Sequence, residues 1–316
     1  MGPEPLSQQP ESSPILSGLP ESNQSDMVPY QNKGDLFNTI RKTFITTLSQ
    51  IIMNGKGMSV VFILVSVILS ACSSAIEKTG KEEEPVLVQV SVIDGLLQGI
   101  YDGTYPIGKL LDMGNMGTGT FDKLNGEMMI LNDTAFQILS SGRVVIPEPE
   151  TLTPFAAITE FRADASFLIS DITFDSLEAA FDHYFPTRNL FYAIHIKGNF
   201  QYVKTRSVPE QYKPYPPLVE ITRKQPEFEF ENVMGDIAGF FTPDYAKGIA
   251  ITGFHLHFLT SDRTGGGHIT RFTLKEGTMK VGYLSDFQLI LPEEGDFFSG
   301  NFNIDRTKEL EEVEKQ

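Results

Sequence analysis

Residues 253–268 read GFHLHFLTSDRTGGGH, and this stretch restricts the fold more sharply than any other in the chain. Apolar residues alternate with the histidines, so a strand is predicted over 248–259 with successive side chains on opposite faces. Ile251, Gly253, His255, His257 and Leu259 then share one face, and Thr252, Phe254, Leu256 and Phe258 the other. The polar, glycine-rich run 260–267 predicts a turn, and a returning strand that begins at His268 is thereby brought beside the first pair. The chain has five histidines, and three of them meet in this hairpin. Three neutral imidazoles can hold one divalent ion and still leave coordination positions for carboxylate, water or substrate, the pattern of a catalytic zinc site. Asp262 and Arg263 are expected to close the turn, and the glycines at 265–267 to supply its backbone freedom. His195, among Phe191, Ile194 and Ile196, reads as structural. His183 falls on a predicted helix without special context.

Histidine spacing alone names no enzyme. Cupins also place two histidines two apart on a strand but follow them with a glutamate, and 258–264 contain none. A metal hydroxide of the carbonic-anhydrase kind is a rival mechanism for three histidines. The same donors also accept iron, manganese or cobalt.

Composition narrows the classes. The 25 Lys+Arg against 41 Asp+Glu give a net charge of −16, which disfavours general binding to a phosphate backbone. One cysteine excludes an internal disulfide, Cys-rich zinc folds and thiol redox pairs. With 41% hydrophobic and 21% charged residues over 316 positions, the chain has the makings of one large domain or two ordinary ones.

The N-terminal region reads as an address. Residues 1–33 carry six prolines in the first thirty positions and too little apolar surface to offset ordering, so disorder is expected there. Phe37, Ile40, Phe44, Leu48 and Ile51 follow at the spacing of a short surface helix. Residues 58–71 (MSVVFILVSVILSA) are nearly all apolar. As a helix they rise about 21 Å, short of the roughly 30 Å hydrocarbon core but the length of a signal-peptide core. Leu69-Ser70-Ala71-Cys72 then resembles a bacterial lipobox, and the single cysteine stands where lipid is attached. Met53, followed by Asn54, Gly55 and Lys56, is expected to be the true start, or else the leader is unusually long. The expected organisation is a disordered or mis-assigned leader at 1–52, a lipoprotein-type signal at 53–72 and a charged tether at 73–85. An N-terminal sheet half at 86–208 and a C-terminal half at 209–316 complete it, the latter bearing the metal hairpin and an acidic tail.

Within the folded part, strands are predicted at 86–92, 143–147, 155–170, 190–197, 200–207, 217–223, 267–275, 278–284 and 286–291. Residues 116–131 read as a hairpin turning at Asn125-Gly126. One or two short helices are expected over 96–114 and one at 174–185, whose stripe of Phe174, Leu177, Ala180, Phe181 and Tyr184 is core. The Pro-rich run 209–217 marks a connection, and the charged tail (305–316) suits a helix. The fold class is α+β: two packed, mostly-β halves of mixed sheet with few helices, and the metal site between them.

The motifs SVIDGLLQGIYDG (91–103), GTGTFDKLNGEMMIL (117–131), FAAIT (155–159), TRSVPEQYKPYPPL (205–218), GFFTP (239–243) and GFHLHFLTSDRTGGGH (253–268), in this order and spacing, resemble bacterial α-acetolactate decarboxylase. The resemblance runs from about residue 88 to the C-terminus. It implies a lyase of acetoin biosynthesis that decarboxylates 2-acetolactate to acetoin and CO2, with Zn2+ on His255, His257 and His268, in a two-sheet homodimer. It further implies Glu127 as a carboxylate at the metal, although family members often have Asp before the preceding Gly where this chain has Asn125. Arg206 matches the family's active-site arginine and Thr120 the threonine of its Gly-x-Gly-Thr turn. Glu314 matches its second glutamate, with Glu309, Glu311 and Glu312 as neighbours in the tail.

These types suit the reaction. Loss of CO2 from acetolactate leaves an electron pair that flows into the adjacent ketone, giving an enediolate, and a Lewis acid at the ketone and hydroxyl oxygens meets that charge. Neutral histidines leave the ion its full charge, while Glu127 and Glu314 temper it and fix its geometry. Arg206 can grip the substrate carboxylate with two donors; the family mechanism also has it assist protonation, which suits a guanidinium less. Without the resemblance, Arg206 is equally an exposed strand arginine, Glu127 a turn carboxylate and Thr120 a turn residue. Two other functions fit the same residues: a non-catalytic zinc-binding surface lipoprotein, and a lyase for a related 2-hydroxy-3-keto acid. The lipobox predicts an enzyme outside the cytoplasm, lipid-anchored at Cys72 to the outer face of a bacterial membrane; without it, a cytoplasmic enzyme is expected.

Overall fold

The computed structural model describes residues 84–314. The leader, the signal segment with Cys72 and nearly all of the tether lie outside the described residues.

The first part of the chain supplies β1 (Val86–Val90), α1 (Ile93–Leu97), β2 (Tyr105–Pro106), α2 (Ile107–Leu111), β3 (Met116–Thr120), β4 (Glu127–Leu131), β5 (Thr134–Ile138), β6 (Val144–Val145), β7 (Leu152–Thr153) and β8 (Ala156–Thr159). The middle supplies β9 (Ala165–Thr173), α3 (Phe174–Ala179), α4 (Phe181–Tyr184) and the long β10 (Phe191–Arg206). After the Pro-rich connection come α5 (Leu218–Thr222), β11 (Glu227–Thr242), β12 (Gly253–Thr260), β13 (Gly266–Leu284), β14 (Asp286–Ile290) and α6 (Thr307–Glu314).

Two sheets carry the fold. The first has seven strands in the order β14-β1-β8-β3-β4-β5-β6, mixed because β14 runs parallel to β1. The second has the order β10-β11-β12-β13-β9, and β10 also pairs along its length with β13. That extra pairing closes β10, β11, β12 and β13 into a ring, which leaves β9 as an appended strand. The α+β class with mixed sheets and few helices is what the sequence predicts.

The period of two decides which side chain meets which layer. Phe254, Leu256 and Phe258 of β12 enter an aromatic-rich core with Phe200, Phe272 and, from α4, Phe181. Leu259, on the opposite face, packs with Ala193, Ala238 and Phe240 against Met129, Leu131 and Ile138 of the first sheet. Each such fully buried side chain stabilises the fold by about 1.5–3 kcal/mol. His255 and His257 share the face of Leu259, so they are turned towards the first sheet. By the same alternation Glu127 shares a face with Met129 and Leu131 and looks back at the histidines.

Several sequence expectations are corrected. The boundary at 209 does not divide the sheets: β10 pairs with β11 and β13, and β14 returns beside β1, so both sheets draw on both parts of the chain. The predicted strand 217–223 is instead helix α5, Leu218–Thr222 between its caps, because Leu218 and Ile221 at i and i+3 bury one face against α1 and α6. The predicted strand 155–170 is two strands in different sheets. Segments 190–197 and 200–207 are one strand, with register shifts between Asn199 and Tyr202, and 267–275 and 278–284 are likewise one. The helix at 174–185 is two short helices, the first capped by Thr173 and Ser176 in a reciprocal box. Strands β5 and β11 were not anticipated. The 116–131 hairpin, the short helices before it and the helical tail stand as predicted.

Candidate metal and active site

Register brings the site together. His257 and His268 are direct cross-strand partners between β12 and β13. On the other edge of β13, His268 is the partner of Arg206, the last residue of β10. His268 is therefore flanked by an imidazole on one side and a guanidinium on the other. His255 lies two residues before His257 on the same face, and β11 packs closely enough that Gly239 admits no side chain. A Cβ there would lie 2.1 Å from the His255 carbonyl oxygen.

The three rings face one another, with centroids 4.9 Å (His255–His257), 5.1 Å (His255–His268) and 5.4 Å (His257–His268) apart. One nitrogen from each lies within 4.8 Å of the others, and among the described residues this is the one such group able to hold a metal ion. Second contacts aim the rings. His257 Nδ1 is 2.7 Å from the Met128 carbonyl oxygen, so it carries the proton and leaves Nε2 a lone pair. That Nε2 is buried without a hydrogen-bond partner. His255 Nδ1 lies 3.3 Å from Thr118 Oγ1. A buried, unpartnered imidazole nitrogen beside two others is the donor set a divalent ion requires.

Electrostatics agree. Burial, with Arg206 close by, pulls His257 down to about 4. Burial and neighbouring cationic groups hold His255 and His268 well below the usual imidazole range. All three are neutral ligands at physiological pH.

The first sheet contributes Glu127 at the start of β4, opposite Thr120 at the end of β3. The turn between them needs Gly126 at φ +87°, where an added Cβ would meet the Ile138 carbonyl at 2.3 Å. Glu127 Oε2 is 3.7 Å from His257 Nε2. Burial pushes its carboxyl up to about 7, against the pull of Arg206. The tail brings Glu314: its Oε2 is 3.5 Å from His268 Nε2 and its Oε1 is 3.9 Å from Arg206 Nη2. Burial raises the Glu314 carboxyl too. The neighbouring acids point elsewhere, Glu309 to Arg306 and Glu312 to Arg223. Arg206 is 3% exposed, and its Nη1 donates to the Val313 carbonyl oxygen at 2.5 Å. Thr120 reaches the pocket, but its hydroxyl donates to the Gly126 carbonyl at 2.8 Å, which makes it part of the turn that presents Glu127.

Of these groups, Thr120, Glu127, Arg206, His255, His268 and Glu314 line one pocket, about 500 Å³ including the open solvent at its mouth. Ile93, Leu96, Leu124, Phe155, Val208, Leu218, Ile251 and Val313 form an apolar wall, and Thr222 and Gln225 add polar groups. All the sequence-predicted site residues thus converge. The sequence reading missed the supporting partners: Thr118, the Met128 and Val313 carbonyls, and Gln225. Thr118 carried a signal, since it shares a face with Thr120; main-chain carbonyls leave none. His195 is structural as expected, 3.0 Å from Asp236, which also accepts from Arg263 at the hairpin turn.

Comparison with known proteins agrees with the geometry. Residues 87–304 match the family model described as alpha-acetolactate decarboxylase. An alpha-acetolactate decarboxylase from Methanosarcina mazei is 44% identical over 231 residues, 73% of this chain and 80% of the relative. The Bacillus subtilis protein of the same name is 39% identical, over 74% of this chain and 94% of its own. The crystal structure of alpha-acetolactate decarboxylase from Bacillus subtilis strain 168 superposes with a TM-score of 0.70 at 37% identity, covering 72% of this chain and 98% of that one.

Proposed function

The chain belongs to the alpha-acetolactate decarboxylase family, and from that premise we propose that His255, His257 and His268 hold a zinc ion at the centre of its reaction. The protein is a carboxy-lyase that converts 2-acetolactate to acetoin and CO2. The observation that carries the metal assignment is the buried, unpartnered Nε2 of His257 beside two further neutral imidazoles.

A divalent ion held by His255, His257 and His268 would supply a Lewis acid for the negative charge that develops at the substrate ketone. The protein does the rest. Arg206, fixed by the Val313 carbonyl, presents its guanidinium to the anionic carboxylate. The apolar wall keeps water from the carbon that loses CO2, which strengthens every charge interaction inside. Glu127, 3.7 Å from His257 Nε2, would temper the charge of an ion held by the neutral histidines. Glu314, 3.9 Å from Arg206 Nη2 and 3.5 Å from His268 Nε2, would help hold the guanidinium and temper the charge of the bound ion. Thr120 holds the turn that aims Glu127.

The test of the metal is its removal and return. Protein purified without added metal should carry about one zinc per chain, lose acetoin formation in chelator, and regain it with zinc. Better recovery with iron, manganese or cobalt would reassign the ion, and chelator-resistant activity would sink the mechanism.

The lipobox at 69–72 behind the apolar run 58–71 supports attachment to the outer face of a membrane through lipid on Cys72. The full chain should then partition into detergent, and a Cys72→Ser variant into the aqueous phase; equal partitioning would refute the anchor. Membership of the family supports a homodimer, which light scattering on the soluble enzyme tests directly.

A further inference from the structure

One lining residue stands apart from both the ligand set and the apolar wall. Gln225 follows α5, its backbone N–H 3.5 Å from the Thr222 carbonyl, and it lines the pocket with Arg206, His255 and His268. The next carbonyl, of Pro226, accepts from the backbone N–H of Ser207 at 3.2 Å. The loop that bears Gln225 is thus tied to the residue directly after Arg206. The side-chain Oε1 of Gln225 is buried and accepts no hydrogen bond. Native proteins rarely bury a bare carbonyl oxygen, so this one asks for a donor.

The substrate has one donor to give. The carboxylate and ketone of 2-acetolactate are acceptors only, and its 2-hydroxyl is its single hydrogen-bond donor. Of the pocket's acceptors, Glu127 and Glu314 face imidazoles and Arg206. The Gln225 oxygen is neutral and free of partners. We propose that Gln225 Oε1 accepts the hydrogen bond of the substrate's tertiary hydroxyl and makes the site select 2-hydroxy-3-keto acids over 3-keto acids that lack the hydroxyl. The proposal rests on the decarboxylase reading above. A site built to bond a hydroxyl rejects the analogue without one, because its buried acceptor is then left bare.

The experiment uses two competitive inhibitors of acetoin formation that differ only in hydroxyl against methyl, 2-hydroxy-2-methylbutanoate and 2,2-dimethylbutanoate. In Gln225→Met, which fills the same space without the amide, the inhibition constant of the hydroxy acid should rise about 5–10-fold. That of the dimethyl acid should change by less than about twofold. The KM for acetolactate should rise with kcat little changed, as for an interaction made equally before and during reaction. Gln225→Glu keeps an acceptor, so the ratio of the two inhibition constants should survive there even where both weaken. Equal shifts for both inhibitors in Gln225→Met, or loss of the ratio in Gln225→Glu, would overturn the assignment. The two failures are separable: no acetoin from the unmutated enzyme refutes the decarboxylase reading, whereas normal acetoin with an unshifted ratio refutes Gln225 alone.

Discussion

Metal uptake by this site should release protons from its carboxyl groups and almost none from its histidines. In the metal-free protein His257 sits at about 4, and His255 and His268 lie well below the usual imidazole range, so at pH 6 all three are already deprotonated. Burial holds Glu127 at about 7, and it lies 3.7 Å from His257. A divalent ion there drives its carboxyl to the ionised form. One group with a pKa near 7 is about 0.9 protonated at pH 6, about half at pH 7 and about 0.1 at pH 8. The Glu127 share of the protons released per zinc should follow that series, and Glu314, whose carboxyl burial also raises, can add at most one more. Three imidazoles at their ordinary value of about 6.5 would instead release about 2.3 protons at pH 6 and about 0.7 at pH 7. Calorimetric titration of chelator-stripped protein with zinc, in buffers of different ionisation enthalpy, counts these protons directly. A Glu127→Gln variant should lose about 0.9 of a proton from the release at pH 6. A release of about two protons at pH 6 that persists when Glu127 and Glu314 are both replaced by Gln would refute the claim that burial keeps the histidines neutral.

Replacing His255 and His257 together by Ala should drop bound zinc from about one per chain to near none and acetoin formation to background, with the far-ultraviolet circular dichroism unchanged. Arg206→Lys keeps a charge but loses the planar fork that meets Val313 and Glu314; kcat/KM for acetolactate should fall about 10²-fold. Gly239→Ala forces a Cβ against the His255 carbonyl. It should destabilise the protein by about 3 kcal/mol in urea unfolding and weaken zinc retention in a chelator competition.

The histidine hairpin was legible because its information is local. Period-two alternation fixes which side chains share a face, and the turn fixes which strand returns beside them. Glu127, Arg206 and Glu314 were legible only through resemblance, since a turn carboxylate, a strand-end arginine and a tail glutamate look ordinary until two sheets and a helix meet. The tail illustrates the limit: apart from the resemblance, nothing in the sequence separates Glu314 from Glu309, Glu311 or Glu312, and the docking of Leu310 and Val313 into the apolar cluster over the pocket decides it. Strand β11 escaped notice because its first half alternates aromatic with charged residues, with Glu227, Glu229 and Glu231 turned to solvent, and its second half is buried and broken by glycine. Helix α5 was misread as a strand because five residues rich in β-branched side chains favour extension locally, and packing overrides that preference.

The positions of the ligands along the chain also bear on the order in which the site is assembled. The three histidines belong to one hairpin, so an ion can be captured by closing a short loop. Glu127, Arg206 and Glu314 come from β4, β10 and α6, and they meet only after most of the chain has collapsed. An ion bound early would pin β12 against β13 and template the later arrival of β10 on the far edge of His268. Docking of α6 would come last, and with it the carbonyl that steers Arg206. A newly made molecule would therefore hold its metal before it could hold its substrate.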